Sequence, residues 1–285
     1  MTLEERLWKT FNKALGQYQL IDEDDKILVG LSGGKDSLCL LEFLARRSKI
    51  NVPHFTVEAL HVRMENVHYE TDTSYLHSFC ARLGIPLHLI TTHFAPSGST
   101  TSPAPSGSTT SPAPNGSPAG EATNPVGSPA PSGSPAGEAT TPVGSPTGKK
   151  PPCFLCSWQR RKQLFNLAQQ LGCTKIALGH HQDDIIHTAL MNLTFQGQFS
   201  TMPVKLKMKK MPLTIIRPLC LCRETDIQAY ARQQQYEQQI KRCPYEDTTN
   251  RKQSAALFAS LEELNPEARY SIWHALENAQ KLIEY

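Results

Sequence analysis

Apolar positions follow two rhythms along this chain. At Leu3, Leu7, Trp8, Phe11, Ala14 and Leu15 they return every three or four residues, which predicts an amphipathic helix over residues 3–18. From Ile27 to Leu31 they run almost unbroken, as in a buried strand, and at Leu38, Leu40, Leu41 and Leu44 the helical spacing resumes in a helix that opens at Asp36-Ser37. Residues 55–62 then read as a strand, 72–83 as a helix with Leu76, Phe79, Cys80 and Leu83 on one face, and 86–92 as a third strand. Beyond residue 150 the pattern predicts a helix over 157–171, a strand at 175–178 and a helix over 185–193. A basic strand at 205–210 pairs as a hairpin with 213–218, where Arg217-Pro218-Leu219 closes the sheet. Helices at 224–235, 251–264 and 266–283 follow, the last with Asn265 as cap and Pro266 in its first turn. Alternating strands and helices predict an α/β fold, a Rossmann-like parallel sheet with helices on both faces. Ligands of such sheets bind at the carboxyl ends of the strands.

One block obeys neither rhythm. Residues 95–148 contain no aromatic residue, no Leu, no Ile and only two Val. SGSTTSPAP stands there twice in succession, and a repeated unit containing GSPAGEAT follows. Such a composition cannot bury enough apolar area to offset chain entropy, so a disordered insertion is expected between residues 1–94 and 149–285, which form one domain. The block also accounts for the low overall hydrophobic content of 39%. Net charge is +3, and the two acids of the block (Glu121, Glu138) leave +5 on the remainder. That mild bias is compatible with a nucleic-acid partner, for which Arg6, Lys9, Lys13 and the basic hairpin are candidate contacts. Eight Cys without an apolar leader, and no stretch of membrane-spanning length, predict a soluble cytoplasmic protein with reduced thiols.

Candidate chemistry concentrates where strands end. Ser32-Gly33-Gly34-Lys35-Asp36-Ser37 lies between the first strand and its helix. Unpaired amides and the positive end of the helix dipole make that place an anion site, the glycines let backbone close around phosphate oxygens, and Lys35 adds a charge. The spacing is not G-x-x-x-x-G-K-[ST], so a kinase or GTPase loop is not supported. Gly179-His180-His181-Gln182-Asp183-Asp184 follows the strand at 175–178. Its carboxylates are placed to hold magnesium against phosphate, and they also suit the cap of the next helix. Cys153-Phe154-Leu155-Cys156 precedes the helix at 157–171, with Arg160, Arg161 and Lys162 in its first turn. By itself the pair allows structural zinc, a redox dithiol or half of an iron-sulfur site. No second pair of zinc ligands follows it, and it does not open the helix of a thioredoxin-like unit. Cys243 lies alone in a polar loop.

SGGKDS resembles the signature of the PP-loop ATP pyrophosphatases. With PCFLCSWQRR, GHHQDD, IRPL and RCPYE in the same order, nearly the whole chain outside residues 95–148 resembles the TtcA family of tRNA 2-thiocytidine synthetases. The resemblance implies an adenine nucleotide alpha hydrolase-like fold and a tRNA 2-thiolation enzyme. ATP would be bound by Ser32, Gly33, Gly34, Lys35, Asp36, Ser37, His61, Val62 and Gly179, with Mg2+ on Asp36 and Asp183. A [4Fe-4S] cluster would sit on Cys153, Cys156 and Cys243. The C2 oxygen of a pyrimidine, an anticodon-loop cytidine, would be adenylated with release of pyrophosphate, and sulfur carried by the cluster would then replace it. Lys35, Asp36 and the three cysteines are the catalytic candidates. Many members carry a second C-x-x-C in the later loop, whereas Glu246 stands three beyond Cys243 here. Rival readings are a thiolase that acts on uridine or through a cysteine persulfide, and a non-catalytic zinc-stapled RNA-binding protein. Expected partners are tRNA and a sulfur donor such as a cysteine desulfurase, with no membrane; a homodimer is compatible with this reading. Cys39, Cys80, Cys173, Cys220 and Cys222 are expected to be structural.

Overall fold

A computed structural model describes residues 1–65, 73–93, 152–237 and 250–285, with the backbone alone at residues 152, 153 and 250–252. The chain runs α1 (Leu3–Gln17), β1 (Asp25–Gly30), α2 (Lys35–Arg47), β2 (Phe55–Met64), α3 (Thr73–Leu83), β3 (Leu87–Thr92), α4 (Pro152–Gln170), β4 (Lys175–Ala177) and α5 (Gln182–Gln196). It continues through β5 (Lys205–Lys207), β6 (Thr214–Ile216), α6 (Glu224–Gln233), α7 (Asn250–Leu264), α8 (Ala268–Asn278) and β7 (Ile283–Glu284). The predicted insertion at residues 95–148 and Cys243 lie outside the described residues.

Among the described residues seven strands form one sheet in the order β3-β2-β1-β4-β6-β5-β7. β3, β2, β1, β4 and β6 are mutually parallel, β5 is antiparallel to β6, and β7 is parallel to β5. From β1 the chain builds outward to β2 and β3, then returns to place β4 on the other flank. The crevice between β1 and β4 is therefore the switch point at which such sheets bind ligands. SGGKDS follows one of these strands and GHHQDD follows the other.

Strand β1 explains its own sequence: Ile27, Leu28 and Val29 are all buried because both faces of the sheet are covered. Ile27 and Val29 join a core with Leu7 and Phe11 of α1, Leu40 and Leu44 of α2, Ile186 of α5 and Tyr230 of α6. Leu28 faces the opposite way, onto Leu164, Leu167 and Ala168 of α4. Each such aliphatic side chain contributes about 1.5–3 kcal/mol when fully buried. Helix α1 packs on one face of the sheet and begins with a capping box, in which Thr2 N–H donates to Glu5 Oε2 (2.8 Å) and Glu5 N–H donates to Thr2 Oγ1 (3.2 Å). Its Arg6 is paired with Asp226 of α6 at 2.7 Å.

Several predicted boundaries need correction. Helix α4 starts at Pro152, so the cysteine pair lies inside it, Cys153 in its first turn and Cys156 at the start of the second, and the Arg160 cluster lies further along it. Pro is favoured at a first helical position, where its missing N–H leaves no bond unmade. The pair thus stands within a helix rather than ahead of it. Helix α5 begins at Gln182 with His181 as N-cap residue, leaving Asp183 and Asp184 in its first turn. Arg217-Pro218-Leu219 does not close the sheet, because β5 and β7 lie beyond β6. The last predicted helix ends at Asn278, and the residues beyond it supply edge strand β7. Its N-cap residue is Glu267, and Asn265 instead holds the preceding turn by accepting from the Glu267 N–H at 3.0 Å.

Candidate functional site at the strand switch point

The glycine loop is shaped by its own backbone. Gly33 has φ +77°, a conformation that side-chain-bearing residues adopt only under strain. Gly34 follows as the N-cap residue of α2, and its carbonyl accepts from Leu38 N–H at 3.1 Å and from the Ser37 hydroxyl at 2.9 Å. The Ser32 and Ser37 hydroxyls are 3.2 Å apart, across the mouth of the turn. Amides of the first helical turn have no partner within the helix, so they are donors for an anion. Lys35 Nζ lies 3.2 Å from Asp36 Oδ2 and 3.0 Å from Glu224 Oε1. Burial acts to lower the Lys35 pKa, but these two carboxylates outweigh it and hold the group above its usual value, fully cationic.

The second motif presses directly on the first. A Cβ on Gly179 would stand 3.0 Å from Asp36 C and Ser37 N, so any side chain there would push the two backbones apart by a few tenths of an ångström. The His181 imidazole, 4% exposed, lies between carboxylates from both motifs: Nε2 is 3.9 Å from Asp36 Oδ1 and 3.4 Å from Asp184 Oδ2, and Nδ1 is 3.6 Å from Asp183 Oδ2. Burial disfavours its charged form, yet the surrounding carboxylates raise its pKa overall. Asp184 Oδ2 also accepts from the His181 N–H at 3.1 Å, capping α5. Asp183 is held from two further elements, accepting from the Glu224 N–H at 2.7 Å and from Arg269 Nη2 at 2.8 Å. Burial would raise its pKa, but His181, Arg269 and the Glu224 N–H depress it well below the usual carboxylate range.

His61 joins the loop to the cysteine side. Its Nδ1 lies 2.8 Å from the Leu31 carbonyl, which can only accept, so Nδ1 carries the proton. Nε2 is buried without a hydrogen-bond partner. Burial, with Arg160 and Arg63 nearby, lowers the pKa of this imidazole and keeps it neutral. Three residues on, at the end of β2, buried Met64 packs against Val62, Leu155 and Cys156. Half-buried Cys156 therefore sits at the carboxyl end of β2, the strand beside the glycine loop. Cys153 occupies the same helix three residues earlier, a spacing that places two residues on one face. Cys39, Cys80, Cys173, Cys220 and Cys222 are all buried, and burial pushes their thiols up, to about 11 for Cys80 and Cys173 and about 12 for Cys222. Those five are packing residues.

The residues suit the groups that the motifs imply. Asp36 Oδ1 is buried and accepts no hydrogen bond, and burial lifts the Asp36 pKa despite Lys35 and His181. An anionic oxygen with open lone pairs beside a helix N-terminus is the donor a hard cation requires. Asp183 has less to offer, since each oxygen already accepts one hydrogen bond. For a cluster, Cys156 would supply a half-buried thiol packed on the apolar side chain of Met64. The sequence motifs alone did not single out His181, Glu224 or Arg269. His181 lay inside a recognised motif, but Arg269 stands 86 residues beyond Asp183 in a polar stretch that carried no signal.

Fold and site together define a nucleotide-binding α/β protein with a phosphate loop at its switch point, and the chain belongs to the PP-loop domain family, whose profile matches residues 3–101 and 158–256. Within it, the chain belongs to the tRNA 2-thiocytidine synthetase family. It is 30% identical to the tRNA-cytidine(32) 2-sulfurtransferase of Pseudomonas syringae pv. tomato, over 98% of this chain and 85% of that protein. It is also 30% identical to the enzyme of the same name from Paracidovorax citrulli, over 97% of this chain and 74% of that one. Among solved structures, the U34-tRNA thiolase NcsA from Methanococcus maripaludis with its [4Fe-4S] cluster superposes with a TM-score of 0.66. That match spans 97% of this chain and 78% of the other at 22% identity, a likeness of fold. Among the described residues no helix is long and apolar enough to cross a membrane.

Proposed function

We propose that this chain is an ATP-dependent tRNA sulfurtransferase that adenylates the C2 oxygen of an anticodon-loop cytidine and exchanges it for sulfur. The observation that carries the reading is the meeting of three motifs at one end of the sheet. Gly179 packs on the backbone of the phosphate loop, and Cys156 packs at the end of the strand whose His61 holds that loop.

In this reading the amides of Gly33 and Gly34 and the first turn of α2 receive the ATP phosphates, with Ser32 and Ser37 at the mouth of the turn. Lys35 stays charged beside Asp36 and Glu224 and neutralises charge that develops as the bond between the α and β phosphates breaks. Asp36 Oδ1, with Asp183 behind it, holds Mg2+. His61 and Val62 line the adenine side, and Gly179 keeps the two loops in contact. The pyrimidine C2 oxygen attacks the α phosphorus and pyrophosphate leaves; AMP is then a far better leaving group than the amide-like oxygen it replaces. A [4Fe-4S] cluster on Cys153, Cys156 and Cys243 would carry the added sulfide, whose attack on C2 forms the C–S bond as the C–O bond breaks and AMP leaves. A base must be unstacked to enter such a pocket, which favours a single-stranded loop. The same reading extends to a sulfur donor of the cysteine desulfurase type, a homodimer and a cytoplasmic location.

The test is anaerobic purification, iron quantification and incubation with ATP, sulfide and unmodified tRNA, followed by mass spectrometry of the nucleosides. About four irons per chain, pyrophosphate release and 2-thiocytidine are expected. A colourless preparation with equal thiolation would remove the cluster from the mechanism. Absence of pyrophosphate release would reduce the chain to an RNA-binding protein.

A further inference from the structure

The proposed reading leaves Arg269 unused, although it is among the few buried charged side chains of the described residues, at 6% exposure. It comes from α8, outside the motifs, and reaches into the first turn of α5. Nη2 donates to Asp183 Oδ1 at 2.8 Å, Nη1 to Gln182 Oε1 at 3.3 Å and Nε to Glu262 Oε1 of α7 at 3.0 Å. The guanidinium lies over the Phe258 ring of α7, 4.8 Å from its centroid. Its planar fork is thus met on three edges and one face, a geometry that an ammonium cannot reproduce.

We propose that Arg269 is a positioning residue for the Mg2+-ATP site, acting through Asp183 and His181 on Asp36. This rests on the reading that Asp36 and Asp183 face the metal and the nucleotide. Asp183 is fixed from two sides, Arg269 on Oδ1 and the Glu224 N–H on Oδ2. Glu224 also holds Lys35, and His181 stands between Asp183 and the open Oδ1 of Asp36. Without Arg269 one anchor of this chain is lost. Asp183 is then fixed through Oδ2 only, and the His181 ring, packed between Asp183 and Asp36, loses a rigid wall on its Asp183 side. Glu262 sets the guanidinium in place without touching the motif itself. The C-terminal helix pair is therefore part of the nucleotide site.

The test is equilibrium binding of a non-cleavable ATP analogue, methylene between its α and β phosphates, to the full chain by calorimetry at several Mg2+ concentrations. Thermal melts of the same samples keep the comparison to folded protein. R269M is expected to weaken apparent Mg2+ affinity by about 10-fold or more, the range for partners that orient metal ligands. R269K should recover part of that loss, and R269M should lose much less in a D183N background than alone. R269K also keeps the charge, so it serves if R269M does not fold: the assignment then requires weaker Mg2+ binding in R269K than in wild type. Wild-type Mg2+ dependence in folded R269M or R269K, or full additivity with D183N, would overturn the assignment and leave the nucleotide site standing. A wild-type chain that does not bind the analogue would overturn both.

Discussion

Gly179→Ala tests whether the two loops work as one unit. The added methyl would lie 3.0 Å from Asp36 C and Ser37 N and 3.1 Å from Asp36 O. Ordinary contact begins near 3.4 Å, and all three atoms are backbone, so no side-chain rotation relieves the clash. The start of α2 must separate from the β4–α5 connection by a few tenths of an ångström. Overpacking of this kind costs about 1–3 kcal/mol, which for a chain of this size is a drop of roughly 3–10 °C in Tm. The shift falls on the amides that receive phosphate. Since a misplacement near 1 Å can cost about 10²-fold in rate, a smaller shift should slow pyrophosphate release by about 10-fold or more. Gly16→Ala is the control, because a Cβ there meets nothing within 4 Å and Gly16 lies in α1. It should stabilise the fold by about 0.5–1 kcal/mol and leave the rate unchanged. Thermal melts and tRNA-dependent pyrophosphate release on both variants decide the matter. A G179A protein with wild-type melting and wild-type rate would refute the claim that the motifs are in van der Waals contact.

Lys35→Met removes the cation shared by Asp36 and Glu224, and pyrophosphate release at saturating ATP should fall by about 10²–10³-fold; a smaller effect on rate than on ATP affinity would contradict its role in the transition state. Alanine at Cys153, Cys156 or Cys243 should abolish thiolation and lower iron content, with binding of the ATP analogue unchanged; full iron in C243A would break the triad. Glu58 gives a pH prediction: burial would raise its pKa, but hydrogen bonds from Lys26 and His88 hold it below the usual carboxylate value. The folded state then binds fewer protons than the unfolded one, so this stabilisation is present above the unfolded pKa and is lost as pH falls through the folded value. E58Q should therefore lower Tm at pH 7 and change it much less near pH 3; equal shifts at both would show that the pair acts through packing alone.

Those readings that rest on unbroken apolar runs survived in the structure because covering both faces of a sheet leaves strands little freedom. Residues 27–31 became β1 almost unchanged, and the order of strands and helices followed from their alternation. The motifs were legible because phosphate and metal chemistry demand particular residues at close spacing. Arg269 was not, since a buried ion pair between α5 and α8 leaves no periodicity and its two residues are far apart in the chain. The edge strand β7 was missed for a related reason. Two residues, Ile283 and Glu284, carry too little pattern, and pairing with β5 rather than local propensity makes them a strand.

The corrected start of α4 strengthens the case for the cysteine site. In a loop ahead of the helix, Cys153 and Cys156 would be free to turn their sulfurs apart. Inside the helix their positions share one face, and at Cys153, in the first turn, the positive end of the helix dipole favours thiolate, the form that binds iron. Pro152 sets the helix to begin immediately before them, and Leu155 and Cys156 are anchored on Met64 at the end of β2. Helix α4 is also the element that covers Leu28 of β1, so the strand that ends in the glycine loop and the helix that carries the thiols share one core. Cutting Leu164 to Ala in that core should cost about 2–5 kcal/mol. It should also loosen both partners at once, lowering iron retention and ATP-analogue affinity together, and a variant that lost one without the other would show that the two halves of the site are held independently.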